Sequence, residues 1–256
     1  MMLQEAKKHQ FLFEELVKRD FKQKYKRTVL GMAWSVLSPL LTLLVMKVVF
    51  TQFFGRNTPF YTTYLFSGNL VMAYFKESTK GGMSSLMSNA KIFSKINIPK
   101  YLFIFSRNVS ALVNFLIILL VYFFFCILDG ITFGFHMLAL IYPILCLLAF
   151  NLGLGMILSA MYVFFRDTQY LYDVFLTLLT YLSAIFYKID GFPLMVQKLF
   201  LLNPVFCYIK YFRTVVIDGV IPSLPYHLLC AFYAVAVLAI GFLVYKKNNH
   251  KFLYYV

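Results

Sequence analysis

Long apolar runs without charge alternate along this chain with short segments that hold nearly all of the charged residues. No charged residue lies between Arg56 and Lys76, between Arg107 and Asp129, or between Asp129 and Arg166. Because a membrane's hydrocarbon core of about 30 Å takes about 20 helical residues per crossing, such runs are long enough to span it. The pattern predicts six transmembrane helices, at about residues 30–54, 58–75, 104–128, 137–164, 169–187 and 226–245.

Two charged residues fall inside these runs, Lys47 and Asp173, each close to the end of its run. Long side chains at such positions reach the headgroup layer, so both are interpreted as membrane-interface residues. The fifth run, TQYLYDVFLTLLTYLSAIFY, includes Asp173 and is more polar than the others. In the fourth run, small residues predict close helix packing: Gly153, Gly155, Ser159 and Ala160.

Two segments outside the runs have the spacing of an amphipathic helix. Residues 11–27 place basic side chains around an apolar face, which predicts a helix lying in the membrane interface. Residues 83–95 are too polar to span, but their apolar side chains recur at helical spacing, which predicts a short cytoplasmic helix. The two apolar faces are Phe13, Leu16 or Val17, Phe21 and Tyr25, and then Met83, Leu86, Met87, Ala90 and Phe93.

Prolines interrupt the apolar segment 188–225 several times. Two short helices joined at Asn203-Pro204 and dipping back into the interface fit this segment better than another crossing. The predicted fold class is therefore an all-α membrane protein forming one transmembrane domain over residues 1–256, with an interface helix, a short cytoplasmic helix and an extracytoplasmic re-entrant hairpin.

Composition and charge agree with a membrane protein. Apolar residues make up 61% of the chain and charged residues 13%, which excludes an ordinary soluble domain. Of the 24 Lys and Arg residues, eighteen fall on one side of the predicted membrane and five on the other, with Lys47 inside the first run. The positive-inside rule then places both termini in the cytoplasm. The net charge of +14 is interpreted as this membrane asymmetry, and not as nucleic-acid binding.

Candidate catalytic chemistry is sparse. The four cysteines and four histidines are scattered singly, and the sequence contains no G-x-x-x-x-G-K-[ST] phosphate loop. We therefore expect no catalytic residue, no metal site and no ATP site in this chain. A six-helix body with two amphipathic elements and no chemistry of its own indicates transport driven by another protein.

Motifs along the chain carry a family resemblance. The segment KRDFKQKYKRTVLGMAWSVLSP at 18–39 and the segment NAKIFSKINIPK at 89–100 resemble signatures of the type-2 ABC permeases that export polysaccharides. Lys100 departs from the pattern, in which Arg is common, but keeps a basic charge. Further features that match are Arg166-Asp167, Asn203-Pro204, Arg213 and Asp218-Gly219.

The resemblance implies a homodimer bound to two copies of a cytoplasmic ABC ATPase, which would hold the ATP and Mg, and a lipid-linked glycan as substrate in the cytoplasmic membrane. It implies that residues 83–95 occupy a cleft of the ATPase, so that Pro99→Ala or a charge at Phe93 would leave folding intact and uncouple ATP hydrolysis from export. The implied coupling residues are Met83, Leu86, Met87, Asn89, Ala90, Ile92, Phe93, Lys95, Pro99 and Lys100, with Arg166 and Asp167 as a second contact.

The resemblance also implies sites for the substrate. The interface helix and its continuation would lie where a lipid-pyrophosphate substrate enters, through Arg19, Asp20, Tyr25, Arg27, Gly31, Trp34 and Pro39. Binding of anionic lipid by the basic residues and membrane anchoring by Trp34 are the alternatives. Four tyrosines are candidates for a channel on which sugar rings slide, Tyr61, Tyr64, Tyr181 and Tyr187, and the exit hairpin would use Asn203, Pro204 and Arg213.

Three alternatives stay open. A permease for drugs or small lipids would share the architecture, although a large extracytoplasmic domain or a fused ATPase would favour it more. A membrane enzyme acting on polyprenyl-linked glycans would need a cluster of Asp, Glu or His that the sequence does not display. A scaffolding protein would have no evident use for the segment from Lys76 to Lys100.

Overall fold

The computed structural model describes residues 2–25, 28, 30–50, 60–95 and 98–255. Arg27 lies outside the described residues, as do 51–59 between the first two predicted crossings and the side chains of Tyr25 and Lys47. The described residues form helices and contain no strand, which confirms the all-α class. The α-helices are α1 (Met2–Tyr25), α2 (Trp34–Phe50), α3 (Tyr61–Ser88), α4 (Ala90–Phe93), α5 (Tyr101–Leu128), α6 (Ile141–Phe164), α7 (Thr168–Leu182), α8 (Leu194–Phe200), α9 (Pro204–Val216) and α10 (Leu224–Asn248).

Three of the helical segments in the described part are long and apolar enough to cross a membrane: α5, α6 with the 3₁₀ turn before it, and α10. Helices α8 and α9 are long and apolar enough to cross only when they are counted together as one segment. This pair is bent by 104° at the break before Pro204. The apolar part of α2 is shorter, Trp34–Met46. The chain is therefore a multi-pass helical membrane protein in which three helices, or four with the bent pair, qualify as spans by length and composition.

Two predicted elements have different bounds in the structure. α7 ends at Leu182, so its 15 residues extend only about 22 Å at about 1.5 Å per residue, less than a full crossing. The prediction of one separate helix over 83–95 is wrong. Residues 83–88 are the last turns of α3, and α4 is a four-residue helix after a break at Asn89. Here α3 continues beyond its apolar half because Met83 and Leu86 pack into the protein.

The bundle is organised around α3, which packs against both α5 and α6. On this centre, α10 lies against α6, α1 against α5, and α9 against the first turns of α3. We call the end of the bundle where α3 finishes and α5 begins the coupling end. The end where α3 begins, next to α8 and α9, is the hairpin end. With 28 residues, α3 separates the two ends by about 40 Å.

Polar side chains join the central helices inside the bundle. The hydroxyls of Tyr74 and Ser78 on α3 donate to Asn108 Oδ1 on α5, at 3.1 and 2.9 Å. Asn108 Nδ2 in turn donates to the carbonyl of Leu148 on α6 at 3.1 Å. A buried polar group is stable only when it is hydrogen-bonded, so this network fixes the register of α3, α5 and α6.

Helix α7 is tied to α3 in the same way. Tyr172 donates from its hydroxyl to Thr79 Oγ1 at 2.6 Å, and Lys80 Nζ lies 2.7 Å from Asp173 Oδ1. Asp173 was interpreted from the sequence as a membrane-interface residue. The structure adds a partner for it on α3, because α7 packs beside the more polar half of that helix.

Close helix contacts use the small residues of α6. A Cβ atom built on Gly153 would lie 2.5 Å from the Cα of Leu238 on α10, and one built on Gly82 of α3 would lie 2.9 Å from the Cα of Gly155. Both distances are shorter than real Cβ contacts, so only glycine fits. The prediction that Gly153 and Gly155 permit close packing is confirmed.

Candidate functional site

A buried carboxylate joins two helices, α1 and α5, at the coupling end. Asp20 of α1 is 3% exposed, and its Oδ1 accepts two hydrogen bonds from the guanidinium of Arg19, at 2.8 and 3.1 Å. Its Oδ2 accepts from the hydroxyl of Ser106 on α5 at 3.2 Å and lies 3.4 Å from Arg107 Nε. Asp20 therefore fixes α1 to α5 through charge and hydrogen bonds.

Arg19 extends this cluster to the break between α3 and α4. Its Nη2 donates to Asn89 Oδ1 at 2.8 Å, and Asn89 Nδ2 donates to the carbonyl of Ser85 at 2.7 Å. Asn89 is 2% exposed, so its side chain is committed to these partners. Of the residues expected to receive substrate, Arg19 and Asp20 thus connect the interface helix to the coupling segment, which we define as residues 83–95.

The apolar face of the coupling segment is turned into the protein. Phe93 is 5% exposed and packs with Leu16 of α1 and Phe103 of α5, while Met83 and Leu86 are 2% and 0% exposed in the bundle. A charge at Phe93 would replace a buried ring, so the expectation that such a change leaves folding intact does not fit the structure. The side chains left exposed are polar: Ser88, Lys91, Ser94 and Lys95.

The remaining predicted coupling residues differ in exposure. Met87, Ala90 and Ile92 are half-buried and pack beside the buried clusters. Pro99 is half-buried just before α5. Lys100 donates from Nζ to the carbonyl of Asn249 at 2.9 Å and lies 5.8 Å from the centroid of the Phe93 ring. Burial lowers the pKa of Lys100. This lysine, the departure from the family pattern, thus caps the end of α10.

The last described residues pack beside the coupling segment. Phe252, in the 3₁₀ turn Lys251–Leu253, is 0% exposed and lies in one cluster with Leu86 of α3 and Tyr245 of α10. Tyr255 stands edge-on to Phe164, with ring centroids 5.0 Å apart. The chain after α10 therefore supports the ends of both α3 and α6.

The turn after α6 is exposed at the same end of the bundle. Phe165 is 71% exposed, and Arg166 and Asp167 are exposed beside it. Arg166 lies with its guanidinium carbon 5.7 Å from the centroid of the Tyr162 ring. Arg166 and Asp167 are thus available to a partner at the end that also presents Lys91 and Lys95.

Three other residues expected to contact substrate lie before or within α2. Gly31 has a φ of +51°, a backbone conformation that suits glycine. Trp34 is 37% exposed at the start of α2, and Pro39 lies inside that helix. None of the three contributes to the cluster around Asp20.

At the hairpin end, the four candidate channel tyrosines differ in how far they are exposed. Tyr61 and Tyr64 are each 7% exposed, and their hydroxyls donate to the carbonyls of Phe186 and Tyr187 at 2.9 and 2.7 Å. Buried rings with occupied hydroxyls give no sliding surface, so this expectation is wrong for these two in the conformation described. Tyr187 is half-buried and donates to the carbonyl of Tyr181, whereas Tyr181 itself is 61% exposed.

Asn203 joins the hairpin to α7. Its Oδ1 accepts from the backbone N–H of Val205 at 3.0 Å and so caps α9, which has Pro204 in its first turn. Its Nδ2 donates to the carbonyl of Leu182 and to Ser183 Oγ, at 3.1 and 3.0 Å. The side chain therefore holds the 104° bend against the end of α7.

Arg213 of α9 is buried, with 8% of its surface exposed. Its guanidinium carbon lies 3.5 Å from the centroid of the Tyr64 ring. The nitrogens donate to Ser67 Oγ and to three carbonyls, those of Tyr64, Ala184 and Ile185, at 2.9 to 3.3 Å. Arg213 thus holds α3, the turn after α7 and α9 together, without a carboxylate among these partners.

Several residues of these sites were missed from the sequence: Leu16, Ser106, Arg107 and Phe252. Ser106 and Arg107 are more than eighty positions from Asp20, and nothing in their local pattern predicts the contact. Leu16 was placed on the apolar face of the interface helix but not assigned to the coupling segment. No group of three or more His, Cys, Asp or Glu that could hold a metal ion occurs in the described part of the chain.

The geometry defines a helical, multi-pass membrane protein with an exposed polar surface at one end and a sharply bent helix pair at the other. The chain belongs to the ABC-2 type transporter family, whose pattern matches residues 12–217.

Its similarity to individual proteins extends over most of the chain. It is 26% identical over 251 residues to the O-antigen export system permease protein RfbA of Klebsiella pneumoniae, which covers 94% of this chain and 95% of that protein. It is 28% identical over 193 residues to RfbA of Myxococcus xanthus, or 74% and 73% of the two chains. It is 23% identical over 251 residues to the polysialic acid transport protein KpsM of Escherichia coli, or 94% of each chain.

Proposed function

We propose that this chain is the transmembrane subunit of an ATP-driven exporter that moves a lipid-linked polysaccharide or teichoic-acid-like polymer across the cytoplasmic membrane. The observation that carries the proposal is the match to permeases for O-antigen and polysialic acid along nearly the full length of the chain. A separate ABC ATPase supplies the energy and holds ATP and Mg. Both termini lie in the cytoplasm, so the coupling end faces the ATPase.

Six crossings are part of this proposal. In it α2, α3, α5, α6, α7 and α10 each pass through the membrane, with α7 completed by the residues that follow it. The apolar half of α3, from Tyr61 to Phe75, lies in the membrane, and its polar half projects into the cytoplasm. The bent α8–α9 pair stays on the outer side, because neither helix alone is long enough to span.

A homodimer with two ATPase copies is the proposed assembly. Helix α7 carries a row of exposed apolar side chains, such as Leu171 at 72%, Val174 at 71% and Tyr181 at 61% exposure. A second permease packed along α7 would place Tyr181 of each copy next to a polymer path between them. Aromatic faces suit a path for sugar rings, because they offer contact area and few fixed hydrogen bonds.

Transmission of ATPase closure follows from the contacts at the coupling end. A push on Lys91 and Lys95 would move α4, which packs through Phe93 on α1 and α5. Arg19 connects the break between α3 and α4 to α1, and Asp20 connects α1 to Ser106 of α5. The coupling segment and the interface helix therefore move as one body, and α3 carries the motion to the hairpin end.

Charge reversal on the exposed face tests this coupling. Lys91→Glu combined with Lys95→Glu is expected to leave the thermal midpoint within about 2 °C, since exposed substitutions change stability by about 0.5 kcal/mol or less. It should lower substrate-dependent ATP hydrolysis by the purified complex at least fivefold. Lys198→Glu, on exposed α8 at the hairpin end, is the matched control and should hydrolyse ATP at the normal rate. Normal hydrolysis by the double variant would show that the ATPase does not use this face.

Deletion of the chain's gene tests the function itself. An exporter subunit is expected to be dispensable for synthesis, so completed lipid-linked polymer should accumulate inside the cell while surface polymer is lost. The measurement is polymer in the cytoplasmic leaflet compared with polymer accessible to an external glycan-specific lectin. Loss of polymer from both places would indicate a membrane enzyme, and unchanged polymer in both would indicate a permease for drugs or small lipids.

A further inference from the structure

The proposed transport mechanism does not use a cavity that lies at the hairpin end. This cavity has a volume of about 260 Å³ and lies between the start of α3, the turn after α7, and α9. Its wall contains three cationic side chains, Lys188, Lys210 and Arg213, and two carboxylates, Asp190 and Asp218. So many charged groups around one cavity are unusual in a chain with only 13% charged residues.

The charged groups of the wall are not paired with one another. Among the described residues, no ion pair involves Lys188, Lys210, Asp190 or Asp218. The four recorded hydrogen bonds of Arg213 go to neutral oxygens and use four of its five N–H groups. Positive charge at the cavity is therefore available to a ligand.

The balance of charge favours an anion with a single charge. Three cations and two carboxylates leave one positive charge in excess. Burial raises the pKa of Asp218, and the nearby charge of Asp190 also raises it, whereas Lys188 and Lys210 lower it. The excess of one positive charge biases the wall toward an anion. Arg213 adds a buried, permanently charged guanidinium at the inner end, a group suited to phosphate oxygens.

The size and position of the cavity limit which ligands it can bind. At about 30 Å³ per molecule, the cavity equals on the order of eight waters, which is enough for a phosphodiester with a small head group but not for a folded glycan. The cavity lies beside α9, whose neighbour α8 carries apolar residues such as Leu194 and Met195 at 76% exposure. Apolar surface next to a cationic cavity is the arrangement expected where lipid head groups meet the protein.

We propose that this cavity binds a phosphodiester anion at the outer membrane surface, held by Lys188, Lys210 and Arg213. The phosphodiester belongs either to a membrane phospholipid head group or to a phosphate-containing polymer leaving the exporter. This inference rests on the proposed function only for the side of the membrane. Its test needs neither ATP hydrolysis nor export, so the two proposals fail separately.

Isothermal titration calorimetry on the purified full chain in neutral detergent tests the site. The probes are dihexanoylphosphatidylglycerol, glycerophosphoglycerol as the same phosphodiester without acyl chains, and dihexanoylglycerol without phosphate. Lys188→Gln combined with Lys210→Gln should raise the Kd for dihexanoylphosphatidylglycerol at least about tenfold, since each basic residue contributes to anion attraction. Asp218→Asn should lower the Kd, and Lys198→Gln, on α8 outside the cavity wall, should leave it unchanged.

The outcomes separate the two sources. Binding of dihexanoylphosphatidylglycerol alone assigns the cavity to lipid head groups, whereas equal binding of glycerophosphoglycerol shows that it also accepts phosphodiesters of a polymer. The proposal is overturned if neither phosphodiester binds, if dihexanoylglycerol binds as well as its phosphorylated counterpart, or if the double lysine variant and Asp218→Asn both keep the original Kd. Asp218→Asn removes a charge with little change in the volume of the side chain.

Discussion

Asp20→Ala is expected to lower the free energy of unfolding by about 3–5 kcal/mol, because it removes one partner of a buried ionic cluster and leaves cationic groups without their carboxylate. The Asp20 side chain is 1% exposed and accepts from Arg19 and Ser106, with Arg107 at 3.4 Å. The measurement is the thermal midpoint of the detergent-solubilised chain, followed by fluorescence-detected size exclusion. A second readout is ATP hydrolysis by the complex, which should no longer respond to substrate.

The surface pair on the same helix gives the matched control. Lys18 and Glu15 are 2.9 Å apart, but their side chains are 60% and 51% exposed, and such pairs contribute about 0–1 kcal/mol. Glu15→Ala should therefore leave the midpoint close to that of the original chain. An equal midpoint for Asp20→Ala and Glu15→Ala would contradict the assignment of Asp20 as the residue that joins α1 to α5.

A conservative change at the same position separates charge from shape. Asp20→Asn keeps the side chain volume and the acceptor for Ser106, but it removes the negative charge that faces Arg19 and Arg107. We expect its midpoint to fall between those of the original chain and Asp20→Ala. If the asparagine variant is as stable as the original chain but uncoupled, the charge of Asp20 serves transmission and not folding.

The cluster around Asp20 gives residues of two family motifs a structural role. The Arg-Asp pair at 19–20 was associated from the sequence with substrate, because a guanidinium binds phosphate well. In the structure the Arg19 guanidinium is shared between Asp20 and Asn89, both in the recognised motifs. The two motifs are separated by seventy positions, yet they form one structure at the coupling end.

Helical periodicity predicted much of the fold because it depends on local sequence. The runs at 104–128, 137–164 and 226–245 correspond to helices found at Tyr101–Leu128, Ile141–Phe164 and Leu224–Asn248. The break at Asn203-Pro204 was readable because proline cannot continue a helix and asparagine caps one. These features need no knowledge of which helices meet.

The direction in which an amphipathic face points could not be predicted. The apolar face of residues 83–95 was assigned to a partner's cleft, but α1 and α5 of the same chain cover it through Leu16 and Phe103. Periodicity shows that a face will be buried, and it does not show against what. The same holds for Tyr61 and Tyr64, whose hydroxyls found carbonyl partners more than 120 positions away.

Helix packing through glycine leads to the second large effect. Gly153→Ala is expected to lower the free energy of unfolding by about 1–3 kcal/mol, the usual cost of forcing extra carbon into a packed interface. The new Cβ would lie 2.5 Å from both the Cα of Leu238 and the carbonyl oxygen of Val237, so the backbones of α6 and α10 must separate. The measurement is the thermal midpoint, with loss of the monodisperse size-exclusion peak as the sign of a loosened bundle.

Gly81→Ala is the matched control, because Gly81 lies inside α3 and a Cβ there meets Arg107 carbons only at ordinary distances, 3.6 Å or more. Alanine is the better helix former by about 0.5–1 kcal/mol, so this variant should be as stable as the original chain or slightly more stable.

A Cβ on Gly241 of α10 would press on Gly153 itself, at 2.8 Å from its Cα. The double variant Gly153→Ala with Gly241→Ala should therefore cost less than the sum of the single changes, since the first Cβ already separates the helices. Additive losses would show that the two glycines act at independent contacts, and an unchanged midpoint for Gly153→Ala would show that α6 and α10 do not pack this closely.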